Sequence, residues 1–441
     1  MRFNQLSILY SVICLLSGLL LQSCTLQQRM AQRLHQTFEK SEITTKYAVG
    51  FALYDLEKEK MVYEKNGDQY FTPASNTKLF TFYAGLKMIP DSIPGLRYVV
   101  KGDSLIFWGT GDPSFLQTQL KGTKALEFLN DSPQQLFFAP GRYTGDFYGY
   151  GWAWDDYNDY YQAEINELPI MDNLVKTTVK QGQLHVTPRI FADCFVADTA
   201  FKPLNFRVRR DFINNVFRFP KVPMVEGFRQ EIPYKVNTNL TLSLLSDTLH
   251  KAVGLVQLAM PADAKTIYSI KTDSVLKQMM LPSDNFVAEQ LLLVYANQLS
   301  AELNSKTAID YIQKTYLSTL PDRPIWVDGS GLSRNNLFTP RSIVALLRLI
   351  YEEVNDQQRL FSLLPAGGKS GTLRNAYPAT ENPFIFGKTG TLSNVHNQSG
   401  YVVTKKGKVY IYSFLNNNFV LPTATIRKEM GRIMTLIHDN Y

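Results

Sequence analysis

Histidine and cysteine are both scarce in this 441-residue chain, and each shortage removes a class of chemistry. The five histidines are His35, His185, His250, His396 and His438. None belongs to a His-Glu-x-x-His pair, and no serine sits in a Gly-x-Ser-x-Gly elbow, which excludes the common zinc-peptidase and α/β-hydrolase arrangements. His396 alone lies near a motif of interest, and it reads as a loop residue rather than a base. Charged residues make up 19% of the chain with a net charge of +7, and no dense Lys/Arg block marks a nucleic-acid groove. Neither low-complexity tracts nor internal repeats are visible, which argues against solenoids and propellers. What is abundant is apolar side chain, 45% of residues, enough to bury a large core in more than one domain.

The apolar run from about Ile8 to Leu21 covers about 14 residues, short of the ~20 a helix needs to cross a bilayer. Preceded by Arg2 and ending in Leu21-Gln-Ser-Cys24, it resembles a bacterial lipoprotein signal. The expectation is a signal segment over residues 1–23, with Cys24 carrying the lipid that anchors the protein to a membrane. Cys14 would leave with the signal, so Cys194 would stand alone, without a disulfide, as a small buried hydrophobe.

Farther on, Tyr47–Tyr54 and Met61–Val-Tyr63 read as a hairpin, as do Gln398–Val403 and Val409–Phe414 around a glycine turn. The stretch Thr25–Lys40 reads as a helix or tether. Apolar spacing predicts helices over about 285–299, 309–317, 342–354 and 424–438. Between about Asp91 and Thr272 aromatics, short strands and turns dominate, and this segment is expected to be a mostly β insertion. The remaining pieces, residues 24–90 and 273–441, are expected to form one domain, its two ends sharing a sheet.

Three short motifs carry chemistry. In Pro73-Ala-Ser75-Asn-Thr-Lys78, serine and lysine lie one helical turn apart, so hydroxyl and amine share a face. A lysine can take the serine proton only if burial or nearby positive charge lowers its pKa. Alone, Ser-x-x-Lys is a weak signal, since helix starts often carry it. Lys388-Thr389-Gly390-Thr391 precedes the last hairpin, where a strand with glycine lets a substrate backbone approach and where Lys388 sets a positive charge. Ser283-Asp284-Asn285 opens a helix; beside the plain reading as a cap, the Ser283 hydroxyl reads as a member of a proton shuttle and the Asn285 amide as a holder of a peptide carbonyl.

In this order the three motifs resemble those of penicillin-binding proteins and serine β-lactamases. About 200 residues separate the first two, and that spacing is similar to the D-alanyl-D-alanine carboxypeptidase/endopeptidase family of low-molecular-mass class C penicillin-binding proteins. Gly111-Asp-Pro113, Gly-Trp152-x-Trp-Asp155-Asp, Asp328-Gly-Ser-Gly-Leu-Ser-Arg334 and Gly371-Thr-Leu373 add to the likeness, which runs from about Tyr47 to the end. Ser333-Arg334-Asn335 also spells Ser-x-Asn, but the surroundings of Ser283 resemble the family's motif helix and those of Ser333 its separate turn.

The resemblance implies an α+β fold, a penicillin-binding/serine β-lactamase-like domain interrupted by the insertion, and a serine D,D-peptidase without cofactor or metal. Its catalytic set would be Ser75, Lys78, Ser283, Asn285 and Lys388. Thr389, Gly390 and Thr391 would bind substrate, the Ser75 and Thr391 N–H groups holding the oxyanion. The substrates implied are peptidoglycan stem peptides, cut at D-Ala-D-Ala or at D-Ala-diaminopimelate cross-links, with β-lactams as long-lived acylating mimics. Trp152, Asp155 and Tyr160 fall at places that recognise diaminopimelate in that family; Asp155 would pair with its ammonium and the aromatics wall the pocket. The family often places an arginine soon after Gly-Thr-Leu, and Arg374 follows Leu373 directly. Two alternatives share the motifs: a non-catalytic wall-binding or β-lactam-sensing lipoprotein, and a serine β-lactamase.

Overall fold

The computed structural model describes residues 28–441; the expected signal segment and Cys24 lie outside the described residues. The two ends of the chain meet in one antiparallel five-stranded sheet, ordered Ile385–Leu392, Val395–Val403, Val409–Asn417, Ala48–Asp55, Lys60–Lys65. Ala48 pairs with Asn417 and Asp55 with Tyr410, so the N-terminal strand lies along the whole C-terminal one. Alternation along these strands sends successive side chains to opposite faces. Val49, Phe51, Leu53, Tyr412 and Phe414 join the helices 28–39 and Thr423–Asn440 on one side, while Ala52, Tyr401, Ile411 and Leu415 join a helical layer on the other.

From residue 28 on, the stretch expected as helix or tether is docked helix, with Met30, Leu34 and Phe38 buried against the sheet. Burial of each such side chain contributes about 1.5–3 kcal/mol. On the opposite face lie Lys78–Met88, Asn285–Asn297, Ser305–Tyr316 and Pro340–Val354. The last two begin a few residues before the apolar pattern does, because Asn304 and Thr339 accept backbone N–H bonds as N-caps and Pro340 takes the first turn.

The chain leaves this body after Lys78–Met88 and returns at the helix Thr272–Met280. Its outgoing strand, Ser92–Lys101, pairs antiparallel with the returning strand Lys265–Lys271, and the Thr272 N–H donates to the Asp91 carbonyl at 2.9 Å. Exit and re-entry thus share one doorway. Between them stand a five-stranded sheet with two parallel pairings and two three-stranded sheets. Two helices, Lys124–Asp131 and Thr238–Leu249, pack into the insertion's core, so it is more mixed than its turn-rich sequence suggests. Cys194 is only half-buried on that core's edge, and burial pushes its thiol upward, away from thiolate reactivity.

Candidate active site

Ser75 lies on a tight turn, Ala74–Thr77, that runs straight into the buried helix Lys78–Met88. Ala74 takes a left-handed φ of 47°, a conformation that L-residues adopt at a steric cost. The turn is held by the Thr77 hydroxyl, which donates to the Ala74 carbonyl at 2.9 Å, and by Asn76 Nδ2, which donates to the Lys388 carbonyl at 3.2 Å. The second bond ties the serine's turn to the edge strand Ile385–Leu392.

Lys78 is wholly buried, and its ammonium donates three bonds, to Ser75 Oγ at 3.0 Å, Asn285 Oδ1 at 2.7 Å and the Ser330 carbonyl at 2.7 Å. Burial lowers its pKa to about 8 against the opposing pull of Glu289, Asp328 and Asp284. Those carboxylates are caged. Glu289 accepts from the Gly329 and Ser330 N–H groups, and burial followed by the Asp328 charge pushes it upward. Asp328 accepts from the N–H groups of Gly331 and Ser333, from Asn336 Nδ2 and from Trp152 Nε1, while burial pushes it upward as well.

Lys388, also buried, donates to Ser283 Oγ at 2.7 Å and to the Thr389 carbonyl at 2.6 Å. Burial and the neighbouring Lys78 charge hold its pKa well below the usual lysine range. Ser283 has a left-handed φ of 65°, and the cap of the following helix is Asp284, whose Oδ1 accepts from the Val287 N–H. Capping and presentation of Ser283 and Asn285 are thus done by different residues of one motif. Asn285 Nδ2 reaches across to the insertion and donates to the Tyr161 carbonyl at 3.2 Å.

Gly390 faces the serine's turn so closely that a Cβ there would lie 2.8 Å from the Ser75 nitrogen and 2.5 Å from the Pro73 carbonyl oxygen. Only glycine lets strand and nucleophile backbone meet. Thr391 lines the cleft beside Ser75, and its hydroxyl is 2.8 Å from His396 Nδ1. His396 is a buried strand residue, not a loop residue, and burial lowers its pKa to about 4, leaving it neutral. Thr389 turns its hydroxyl to Thr372, and of the three residues expected to bind substrate only Thr391 lines the cleft, Thr389 and Gly390 standing behind it.

These groups open into a cleft of about 810 Å³ whose rim includes Asp155 and Tyr160 from the insertion. Trp152 does not line it. The indole packs among Ile165, Leu293 and Leu303 and braces Asp328, because an apolar ring with one N–H donor is satisfied by burial beside a single acceptor. Ala153 and Tyr161 form the wall expected of it. Arg374 is exposed and off the cleft, whereas Arg334 lines it and donates to the Ser393 carbonyl at 2.9 Å. In sequence Arg334 reads only as the last residue of a structural turn; its place after Gly331-Leu-Ser is the available signal. The rival Ser333 and Asn335 belong to that turn, Ser333 buried with its N–H on Asp328 and its hydroxyl receiving the Asn335 N–H.

Comparison with known proteins places this geometry. A family model described as the D-Ala-D-Ala carboxypeptidase 3 (S13) family matches residues 30–190 and 241–438, passing over part of the insertion. The chain is 25% identical to penicillin-sensitive carboxypeptidase A of Dictyostelium discoideum, covering 85% of this chain and 83% of that protein. It is 23% identical to the D-alanyl-D-alanine carboxypeptidase DacB of Haemophilus influenzae, covering 83% and 85%. The crystal structure of penicillin binding protein 4 (dacB) from Haemophilus influenzae superposes with a TM-score of 0.71 at 19% identity, over 93% of this chain and 99% of that one. With the match spanning most of its length on both sides of a gap at residues 191–240, the chain belongs to the D-Ala-D-Ala carboxypeptidase 3 (S13) family.

Proposed function

We propose that this protein is a serine D,D-peptidase that cleaves the D-Ala-D-Ala end of peptidoglycan stem peptides through an acyl-enzyme on Ser75. The observation that carries the reading is Lys78 Nζ, buried and 3.0 Å from Ser75 Oγ, with Ser75 lining the same cleft as Ser283, the partner of buried Lys388. Ser75 Oγ attacks the carbonyl between the two D-alanines and its proton passes to neutral Lys78. The Ser75 and Thr391 N–H groups stabilise the oxyanion. The C–N bond breaks, the leaving amine takes a proton through Ser283 or Lys78, and Lys388 balances the substrate carboxylate. Water then hydrolyses the ester, restoring Ser75 and releasing the shortened stem. A β-lactam follows the first half of this path and remains on Ser75.

Mass spectrometry after penicillin treatment tests the reading: the adduct is expected on the peptide containing Ser75, and an adduct elsewhere rules the assignment out. Steady-state release of D-alanine separates turnover from mere labelling, as expected of a β-lactam sensor.

Asp155 and Arg334 lining one cleft supply a carboxylate and a guanidinium, the pair needed for a free amino-acid end such as that of diaminopimelate. Asp155→Ala and Arg334→Ala are each expected to lower kcat/KM about tenfold on stems with that end free, the worth of about one charge-assisted bond. Blocked stems should change little, and equal losses on both would remove the pocket from the reading.

The Leu21-Gln-Ser-Cys24 run supports an exported protein held at a membrane on its periplasmic side by lipid on Cys24. Cys24→Ala is expected to move the protein from the membrane to the soluble fraction; retention in the membrane would count against the anchor.

A further inference from the structure

The strand Val395–Val403 carries His396, Asn397, Gln398 and Ser399 in succession, all polar and all buried. Burying a polar side chain costs free energy unless it finds partners, so such a run calls for a use. Gln398 and Ser399 make their bonds to Tyr377, Tyr412 and Ser413, within the sheet and its cover. His396 and Asn397 reach instead towards the active site, and neither lines the cleft.

They reach it from two sides. Successive strand residues face opposite sides of a sheet, and here His396 stands opposite Thr391 of the edge strand while Asn397 stands opposite Gly390. On one face His396 Nδ1 is 2.8 Å from the Thr391 hydroxyl. On the other, where Gly390 offers no side chain, Asn397 Nδ2 donates to the Thr72 carbonyl at 2.9 Å, and Asn417 Nδ2 donates to the same oxygen at 3.1 Å. Thr72 lies three positions before Ser75, at the entry to its turn. The amide of Asn397 is fixed at its other end as well, because Oδ1 accepts from the Asn416 N–H at 2.9 Å. Asn416 Nδ2 in turn donates to the His396 carbonyl at 3.1 Å, so the two residues are tied to one neighbour.

Resting on the reaction proposed above, we infer that His396 and Asn397 are positioning residues that set the spacing of the oxyanion hole, His396 holding its Thr391 side and Asn397 its Ser75 side. The donors assigned to the oxyanion are backbone N–H groups of two separate segments, an edge strand and a short turn. Such donors stabilise developing charge only if they are already aimed at it. The strand Val395–Val403 is paired along both its edges, so two adjacent residues on it give both segments one stiff reference.

The test uses the full-length protein, release of D-alanine from a stem pentapeptide, and thermal melts. His396→Leu and Asn397→Asp, the second equal in shape but lacking the donor, are each expected to lower kcat about tenfold while KM changes less than about twofold, because the oxyanion forms only beyond the ground state. His396→Asn should restore most of the rate, since a carboxamide atom falls where Nδ1 stands and can donate or accept. On a Thr391→Val background, His396→Leu should cost less than about twofold more, the bond being already gone. Losses carried by KM, unchanged rates, no rescue by asparagine at 396, or additive losses in the double variant would overturn the positioning role alone. A wild type that releases no D-alanine would overturn the reaction and this role with it. Should Asn397→Asp melt early, the variants at 396 decide by the same outcomes.

Discussion

Lys78→Met is expected to lower the rate of Ser75 acylation by about 10³-fold, the middle of the range for a positioned general base. The change removes the one amine within hydrogen-bond distance of Ser75 Oγ among the described residues while leaving a side chain of similar length. On the proposed mechanism the acting form in the wild type is the neutral amine, which becomes populated as pH rises towards its pKa of about 8. Acylation should therefore rise about tenfold per pH unit below 8 and level off above it, and the variant should lose that limb. Folding stability should move differently. Holding this lysine protonated in the fold, with its pKa lowered from 10.5 to about 8, sets roughly 3 kcal/mol against the native state at neutral pH. That penalty is full below the folded pKa and fades as pH climbs from about 8 towards 10.5, where the unfolded chain binds the extra proton. Removing the amine relieves it, although Glu289 and Asp328 lose a nearby cation. A melting temperature held within a few degrees, with acylation all but lost, is the expected pattern; acylation near the wild-type rate would mean another group takes the serine proton.

Gly331→Ala is expected to be among the most damaging single substitutions at a residue with no reactive group. A Cβ there would fall 1.9 Å from the Ala74 carbonyl oxygen, 2.4 Å from its carbon and 2.9 Å from Thr77 Oγ1, at a φ of +85°. The nearest atoms are backbone of the serine's own turn, which cannot swing aside as a side-chain tip could. Overpacking and the unfavourable φ together should cost about 3 kcal/mol or more. Because the strain presses on Ala74, Ser75 should shift too, and a misplacement of about 1 Å can lower acylation by about 10²-fold. Gly407→Ala is the matched comparison, with a φ of +77° and nothing within 4 Å, so only the conformational cost of about 1 kcal/mol applies. Thermal melts and penicillin acylation rates on both variants check this; equal effects would mean the interlock between the two turns is not what constrains position 331.

Much of the site was legible because its chemistry is written in short motifs. Ser-x-x-Lys needs only one turn of local structure to bring hydroxyl and amine together, and Lys-Thr-Gly needs only a strand with a glycine. Trp152 and Arg334 show where that legibility stops. Trp152 reads as pocket wall through the family resemblance, yet its ring turns into the core and its N–H to Asp328, while Ala153 lines the cleft. Arg334 looked like the tail of a structural turn, yet that turn folds against the nucleophile and leaves its last side chain on the rim.

From residue order alone came the two hairpins, the apolar helical faces, the interrupted body and the three motifs, since periodicity and local spacing are properties of neighbouring residues. Which serine-containing motif faces Ser75, how far the lysines are desolvated, and which buried strand residues reach the serine's turn depended on packing between segments up to 300 or so positions apart. Long-range burial sets those quantities, and burial is a property of the surroundings that a side chain acquires only when the chain has folded.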